Sequence, residues 1–352
     1  MSEHPRVSCV LPVWNGEDYL ADAIRSVLNQ TCRDFELIIV DDGSTDATPD
    51  IVDRLRREDR RIRLCRQAHA GLVAALNQGM DLALGCYIAR MDADDICASE
   101  RFEVQLGFLD RHQDVGVCGT WVETFDGGRR EVIRYPCEDS AIRSRLLFES
   151  PLAHPAVMLR REVLERHALT YDATALHAED YDLWVRAAPH TRFANIPVAL
   201  VRYRVHPEQA GRRYEEKQDR SARAIRVAQL HDLGIQPTEQ EANLHHRLSR
   251  WRFDPAPDVL RATRVWLTKL MRANSVAQRY PHREFLAVLG ERWASVCAVA
   301  TGGGISTLAE FWRAPRLARS GFNRRQHLKF AVKCLIRKDP QASFRSVDDA
   351  AR

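Results

Sequence analysis

Between residues 7 and 91 short β-rich apolar runs alternate with stretches of helical period, and polar clusters close the runs. Val7-Ser-Cys-Val-Leu-Pro-Val13 is followed by Leu20, Ile24, Val27 and Leu28 at helical spacing. Glu36-Leu-Ile-Ile-Val40 reads as a second strand, Ile62 to Cys65 as a third and Tyr87 to Met91 as a fourth. Thr48-Pro49 predicts the N-cap and first-turn proline of a helix after the second strand. Gly71 to Leu84 predicts another helix, with Leu72, Leu76 and Met80 on one face. Strands this uniformly apolar are those buried on both faces. The expectation is an α/β fold: an open, mostly parallel sheet with helices on both faces.

In such sheets ligands bind in the crevice outside the carboxyl ends of the strands. Three polar clusters fall at that edge: Pro12 to Asn15, Asp41-Asp42-Gly43-Ser44, and Asp92-Ala93-Asp94-Asp95. Carboxylates as close as Asp92, Asp94 and Asp95 repel unless a cation holds them. Mg²⁺ or Mn²⁺ would take one or two of them together with phosphate oxygens. The competing reading is a solvated turn with Asp95 capping the next helix.

The length, 352 residues, suits two domains. After about residue 210 the pattern turns helical and Arg-rich, which predicts domains 1–210 and 211–352. Nine Lys or Arg and no acid lie between Phe311 and Lys338. The formal net charge is +4, so the remainder of the chain stands at −5. That overall balance is too mild to announce a nucleic-acid partner. Leu328, Val332, Leu335 and Ile336 recur there at helical spacing between Lys329, Lys333 and Arg337. Such a helix suits either an anionic membrane face or a core with a solvated basic side. No CxxC pair occurs, Cys9 and Cys118 sit in apolar runs, and the first residues lack a signal pattern. The expected location is therefore cytoplasmic, with peripheral attachment to the membrane. Trp293 to Ala309 is the longest uncharged stretch, but it is interrupted by Gly302-Gly303-Gly304 and is short for a spanning helix.

An ordered set of motifs resembles the family 2 glycosyltransferases of GT-A fold. It comprises Val10-Leu-Pro-Val-Trp-Asn15, Ile38-Ile-Val-Asp-Asp-Gly-Ser-Thr-Asp46 and Arg90-Met-Asp-Ala-Asp-Asp95. His154-Pro155, Glu179-Asp-Tyr-Asp-Leu-Trp184 and Arg202-Tyr-Arg-Val-His206 follow in order. The likeness covers about residues 5 to 210 and implies inverting, metal-dependent transfer of a sugar from a nucleotide donor, with UDP favoured. It implies that Pro12, Val13 and Trp14 border the nucleobase and that Asp41 bonds its edge. Asp92 and Ala93 would lie at the donor, Asp92 near the ribose or a metal-held water. Asp94 would ligate the metal, and His206 would reach the metal or diphosphate. Asp180 would be the base that deprotonates the acceptor hydroxyl, with Glu179 orienting it or replacing it. The acceptor implied is a glycan or lipid-linked glycan of cell-surface polysaccharide.

Trp14 departs from the family's usual Tyr or Phe but offers a larger stacking face. Asp42 is better suited to ordering its turn than to touching the donor. Asn77 and Gly79 are better read as packing residues. Leu200 to Val205 reads as an edge-like strand leading to His206; Arg202 and Arg204 could pair with phosphate or flank that strand, and His154 and His177 are weaker candidates on the acceptor side. A Rossmann dehydrogenase would need GxGxxG after the first strand, where Pro12-Val-Trp-Asn-Gly16 stands instead. An aspartyl-phosphate-type phosphatase would carry its acids after the first strand, not the fourth. A catalytically inactive sugar-nucleotide binder is the remaining alternative.

Overall fold

The computed structural model describes residues 4–125, 128, 130–206 and 214–336. The described chain divides into two compact units, one holding residues up to Ile142 and Ser150–Ala222, the other Arg143–Glu149 and the chain from Arg223. The division falls between Ala222 and Arg223, and the seven residues Arg143–Glu149 cluster with the second unit.

The first unit begins with β1 (Val7–Val13), α1 (Leu20–Leu28), β2 (Phe35–Asp41), α2 (Thr48–Glu58), β3 (Ile62–Arg66), α3 (Leu72–Asp81) and β4 (Tyr87–Arg90). Then come β5 (Ile96–Cys97), α4 (Arg101–Arg111), β6 (Val115–Phe125), β7 (Glu131–Ile133) and α5 (Asp139–Arg145). They are followed by β8 (Met158–Arg160), α6 (Arg161–Arg166), α7 (Glu179–Ala187) and β9 (Arg192–Arg204). One sheet runs β3-β2-β1-β4-β8-β6-β9-β5, with β7 added beside β6. The pairs β2–β3, β1–β2, β1–β4 and β6–β9 are parallel. β8 runs antiparallel to both β4 and β6, as do β5 to β9 and β7 to β6. The fold is the expected GT-A type, but "mostly parallel" describes only its N-terminal half; beyond β4 the sheet is mixed.

Pleating explains the two helical layers. Cys9, Leu11, Leu37 and Ile39 join the core that contains Ala23, Ile24 and Val27 of α1, Val52 and Leu55 of α2 and Phe102 and Leu106 of α4. The other pleat face meets α3. A Cβ on Gly79 would stand 2.4 Å from Val10 Cγ1 and 3.3 Å from Val40 Cγ2, so only glycine lets that helix lie so close. The buried residues of α3 are Val73, Ala75, Leu76 and Gly79, a face turned from the expected Leu72, Leu76 and Met80. The close approach at Gly79 selects the packed face, and leucine spacing cannot show it.

Two other expectations need correction. Thr48 is the first residue of α2, not its side-chain cap; its hydroxyl accepts the Gly16 N–H at 2.8 Å. The Leu200 to Val205 run is no sheet edge, because β9 lies between β6 and β5.

The second unit is helical: α8 (Glu215–Asp232, which crosses the boundary), α9 (Glu239–Ser249), α10 (Pro257–Ala277), α11 (His282–Val299), α12 (Ile305–Trp312), α13 (Pro315–Gly321) and α14 (Arg324–Leu335). Its core gathers Trp266, Leu267, Phe285, Leu289, Trp293 and Phe311. Thr238 and Glu241 cap α9 reciprocally, as Asn323 and Gln326 cap α14, which fixes where these helices begin. Among the described residues no helix is long and apolar enough to cross a membrane. The uncharged stretch from Trp293 is divided between α11, a 3₁₀ turn at Thr301–Gly303 and α12.

Candidate active site

The parallel register brings the three polar clusters together. Val13 pairs with Asp41, and Val10 pairs with Arg90, so β1, β2 and β4 end at one edge. Pro12 and Val13 are buried there, while Trp14 is 44% exposed and stacks on His69 with ring centroids 4.6 Å apart. The Asp41 carboxylate is buried, accepts the Ser44 N–H at 3.0 Å and lies 3.8 Å from Arg66 Nε.

Asp42 does what turn chemistry suggests. One oxygen accepts Gln67 Nε2 at 2.7 Å and the Ala70 N–H at 2.8 Å; the other accepts the Gly71 N–H at 2.8 Å. It therefore holds the loop that leads into α3 and sets the position of His69, 2.9 Å from the same carboxylate. Asn77 is likewise structural: its amide exchanges two hydrogen bonds, both 2.9 Å, with the backbone of Tyr171.

The acidic cluster follows β4. Carboxylate oxygens of Asp92, Asp94 and Asp95 lie within 4.8 Å of one another. Asp95 is fully buried and accepts the Arg204 N–H at 2.9 Å, so it ties the cluster to β9. It does not cap α4, which starts at Arg101. Its second oxygen is buried without a hydrogen-bond partner. Asp94 lies 3.0 Å from His206 Nε2, and Ala93 is half-buried between the acids. Arg204 donates to the Asp94 carbonyl at 2.8 Å and lies over the ring of Tyr19, which also meets His206. Arg202 lies over Phe125 and 3.8 Å from Glu123. Both arginines are thus engaged by the protein itself.

Asp92 pairs with Arg90, a guanidinium buried at the end of β4. Burial opposes the Arg90 charge, but Asp92 more than offsets it and keeps that charge firmly in place. Burial pushes Asp92 upward from the usual carboxylate range, with Asp94 adding to the rise, and pushes Asp95 well above it. Asp180 is close enough for its charge to act on Asp92.

Glu179 and Asp180 open α7. Asp180 is half-buried, accepts Ser150 Oγ at 3.1 Å and is raised by burial. Glu179 is buried, has one oxygen without a hydrogen-bond partner, and is raised to about 7 by burial and by Asp180. His154 meets the Tyr171 hydroxyl at 2.8 Å, and burial with the Arg90 charge drives it well below the usual imidazole value. His177 stacks on Tyr214 at 4.3 Å.

The structure thus brings Asp92, Asp94, Asp95 and His206 together and sets Asp180 and Glu179 within electrostatic reach of Arg90 and Asp92. Arg90, Tyr171 and Ser150 were missed as members of this constellation. An arginine two residues before an acidic turn, inside a buried strand, was a readable sign for the first; local sequence carries none for the other two.

The arrangement gathers three aspartates and a histidine, a neighbouring pair of acids and a half-exposed tryptophan at the carboxyl edge of a GT-A-type sheet. The model for glycosyl transferase family 2 matches residues 8–168. An uncharacterized glycosyltransferase of Haemophilus influenzae is 30% identical over 237 residues, which span 64% of this chain and 73% of that protein. The putative glycosyltransferase EpsH of Bacillus subtilis is 30% identical over 63% of this chain and 67% of its own length. The fold matches S. aureus TarS 1–349 solved with UDP-GlcNAc at a TM-score of 0.56, with 17% identity over 92% of this chain and 91% of that one. The same protein solved with UDP matches at 0.53. The chain belongs to glycosyltransferase family 2.

Proposed function

We propose that this protein is an inverting, metal-dependent glycosyltransferase that moves a sugar from a UDP-sugar to a glycan, lipid-linked and destined for the cell surface, at the cytoplasmic face of the membrane. The observation that carries the reading is the cluster of Asp92, Asp94 and Asp95 with Asp180 in electrostatic reach. The residues fit a divalent cation: hard oxygens converge, one Asp95 oxygen is buried and unsatisfied, and an imidazole stands at Asp94. Asp94 and His206 would hold Mg²⁺ or Mn²⁺, which would supply positive charge against a departing diphosphate. The TarS complexes, named for UDP and UDP-GlcNAc, support a uridine nucleotide.

Pro12, Val13 and the exposed face of Trp14 receive the nucleobase, and Asp41 bonds its edge. Asp92, pinned by Arg90, and Ala93 line the donor. Asp180 takes the proton from the acceptor hydroxyl as that oxygen attacks the anomeric carbon from the side opposite the diphosphate. Burial raises its proton affinity, which suits a base. Glu179, more enclosed, orients it. Asp180→Asn is expected to keep donor affinity and lower turnover about 100-fold or more. Near-wild-type turnover would remove Asp180 from this role. Metal-dependent release of UDP from a panel of UDP-sugars separates an enzyme from an inactive binder, which would retain its ligand.

A further inference from the structure

Helix α14 has two apolar faces, and only one is used in packing. Phe330 and Cys334, four residues apart, are buried in the core of the second unit. Leu328, Val332 and Leu335 follow one another at four and three residues, with Ile336 next, on another face. They are 67%, 46%, 63% and 61% exposed. The core-packing alternative for this stripe is therefore corrected: the helix is already anchored without it. Trp312 of α12, 46% exposed, stacks on His327 of α14 at 5.5 Å and adds an amphipathic ring at the rim.

The charges carried by α13 and α14 share one sign. Arg316, Arg319, Arg324, Arg325 and Lys329 are exposed, and no acid occurs from Phe311 to Ile336. Arg337 and Lys338, which extend the basic run, lie outside the described residues. Arg324 and Arg325 occupy the first turn of α14, where the helix dipole favours acids. Their placement opposes helix stability and so points to an external anion. Aliphatic side chains flanked by cations and a half-exposed tryptophan match a layer that is apolar inside and negative at its surface.

We propose that α14 is a docking face for an anionic phospholipid bilayer, inserting Leu328, Val332, Leu335 and Ile336 while Arg324, Arg325 and Lys329 meet the head groups. The inference deepens the proposed reading by naming how the protein reaches the membrane where its acceptor lies. Its test reads binding rather than transfer, so the two can fail separately.

The full chain is sedimented with vesicles of phosphatidylcholine alone or with about one third phosphatidylglycerol. Binding is expected on the anionic vesicles, weakening steeply with salt, and at least tenfold less on the neutral ones. Arg324→Ala, Arg325→Ala and Lys329→Ala together should lower partitioning about 100-fold, near fivefold for each charge. Leu328→Ser with Leu335→Ser should lower it at least tenfold at unchanged net charge. All these positions are exposed, so a cooperative circular dichroism melt close to or above the parent's is expected and confirms that the variants fold. Three results would overturn the proposal: no preference for anionic vesicles, the serine pair binding like the parent, or the same face mediating a dimer in sedimentation velocity without vesicle binding.

Discussion

Replacing Glu179 by glutamine should stabilise the protein, and more so as pH rises. Glu179 is 5% exposed and raised from 4.5 to about 7 by burial and by neighbouring Asp180. The folded state therefore holds a proton that the unfolded chain has already released, and stability is lost as pH climbs from the unfolded to the folded value. Between about pH 5 and pH 8 the cost of this single group grows by about 2.5 kcal/mol, the integral of 1.36 kcal/mol per pH unit weighted by the fraction of a proton that the folded state holds in excess. Glutamine keeps the shape and cannot ionise, so the cost disappears. The assay is urea unfolding followed by tryptophan fluorescence, with Trp184 buried on the same helix as a local reporter. The variant is expected to match the parent to within about 1 kcal/mol at pH 5 and to exceed it by about 3 kcal/mol at pH 8. Buried acids left in place, such as Asp95, titrate in both proteins and largely cancel from the difference. Parallel stability curves for parent and variant would refute the argument that burial holds Glu179 protonated.

Asp42→Ala should destabilise the first unit by about 3 kcal/mol in the same assay, because it strips Gln67 and two backbone N–H groups of a buried acceptor; a loss below about 0.5 kcal/mol would contradict that count. Gly79→Ala should cost about 1–3 kcal/mol through its clash with Val10. Adding Val10→Ala should recover part of that loss by opening the space, a coupling that a double-mutant cycle reads directly.

The N-terminal half was legible because its strands are buried on both faces. Continuous apolar runs and breaks at Gly43 and Asp92 place β1 to β4 within a residue or so of the expectation. Trp14, Asp41, Asp92 and Asp94 could be located because each ends or follows a strand whose end is marked in the local sequence. Beyond β4 that logic weakens. β8 is three residues long and gains its place from antiparallel pairing on both sides, which no periodicity records. The mixed half of the sheet was therefore missed, and β9 was mistaken for an edge. Tyr171 and Ser150 come to the site through long-range contacts with Asn77 and Asp180, and a lone Tyr or Ser carries no such message. The exposure of Leu328 and Leu335 was equally hidden, since amphipathic spacing identifies a face but not what covers it.

Burial raises the proton affinity of the site's acids above that of ordinary carboxylates, and a bound cation would oppose that rise. Asp92, Asp95, Glu179 and Asp180 are all raised by burial, with Arg90 as a compensating charge within reach of each. A divalent cation at Asp94 and His206 would favour the ionised form of every one of these acids. Binding must then release protons, and by linkage its affinity must rise with pH in the range where Glu179 titrates, about 7. Calorimetric titration of Mn²⁺ at pH 7 in two buffers of different ionisation enthalpy measures this directly. The observed heats should differ between the buffers by a substantial fraction of the difference in their ionisation enthalpies, the fraction being the protons released per cation, and Glu179→Gln should reduce the difference while leaving Asp94 and His206 to bind. Equal heats in both buffers, with binding evident, would mean that the acids facing Arg90 are already ionised before the cation arrives, and that the raised proton affinities do not describe the site in solution.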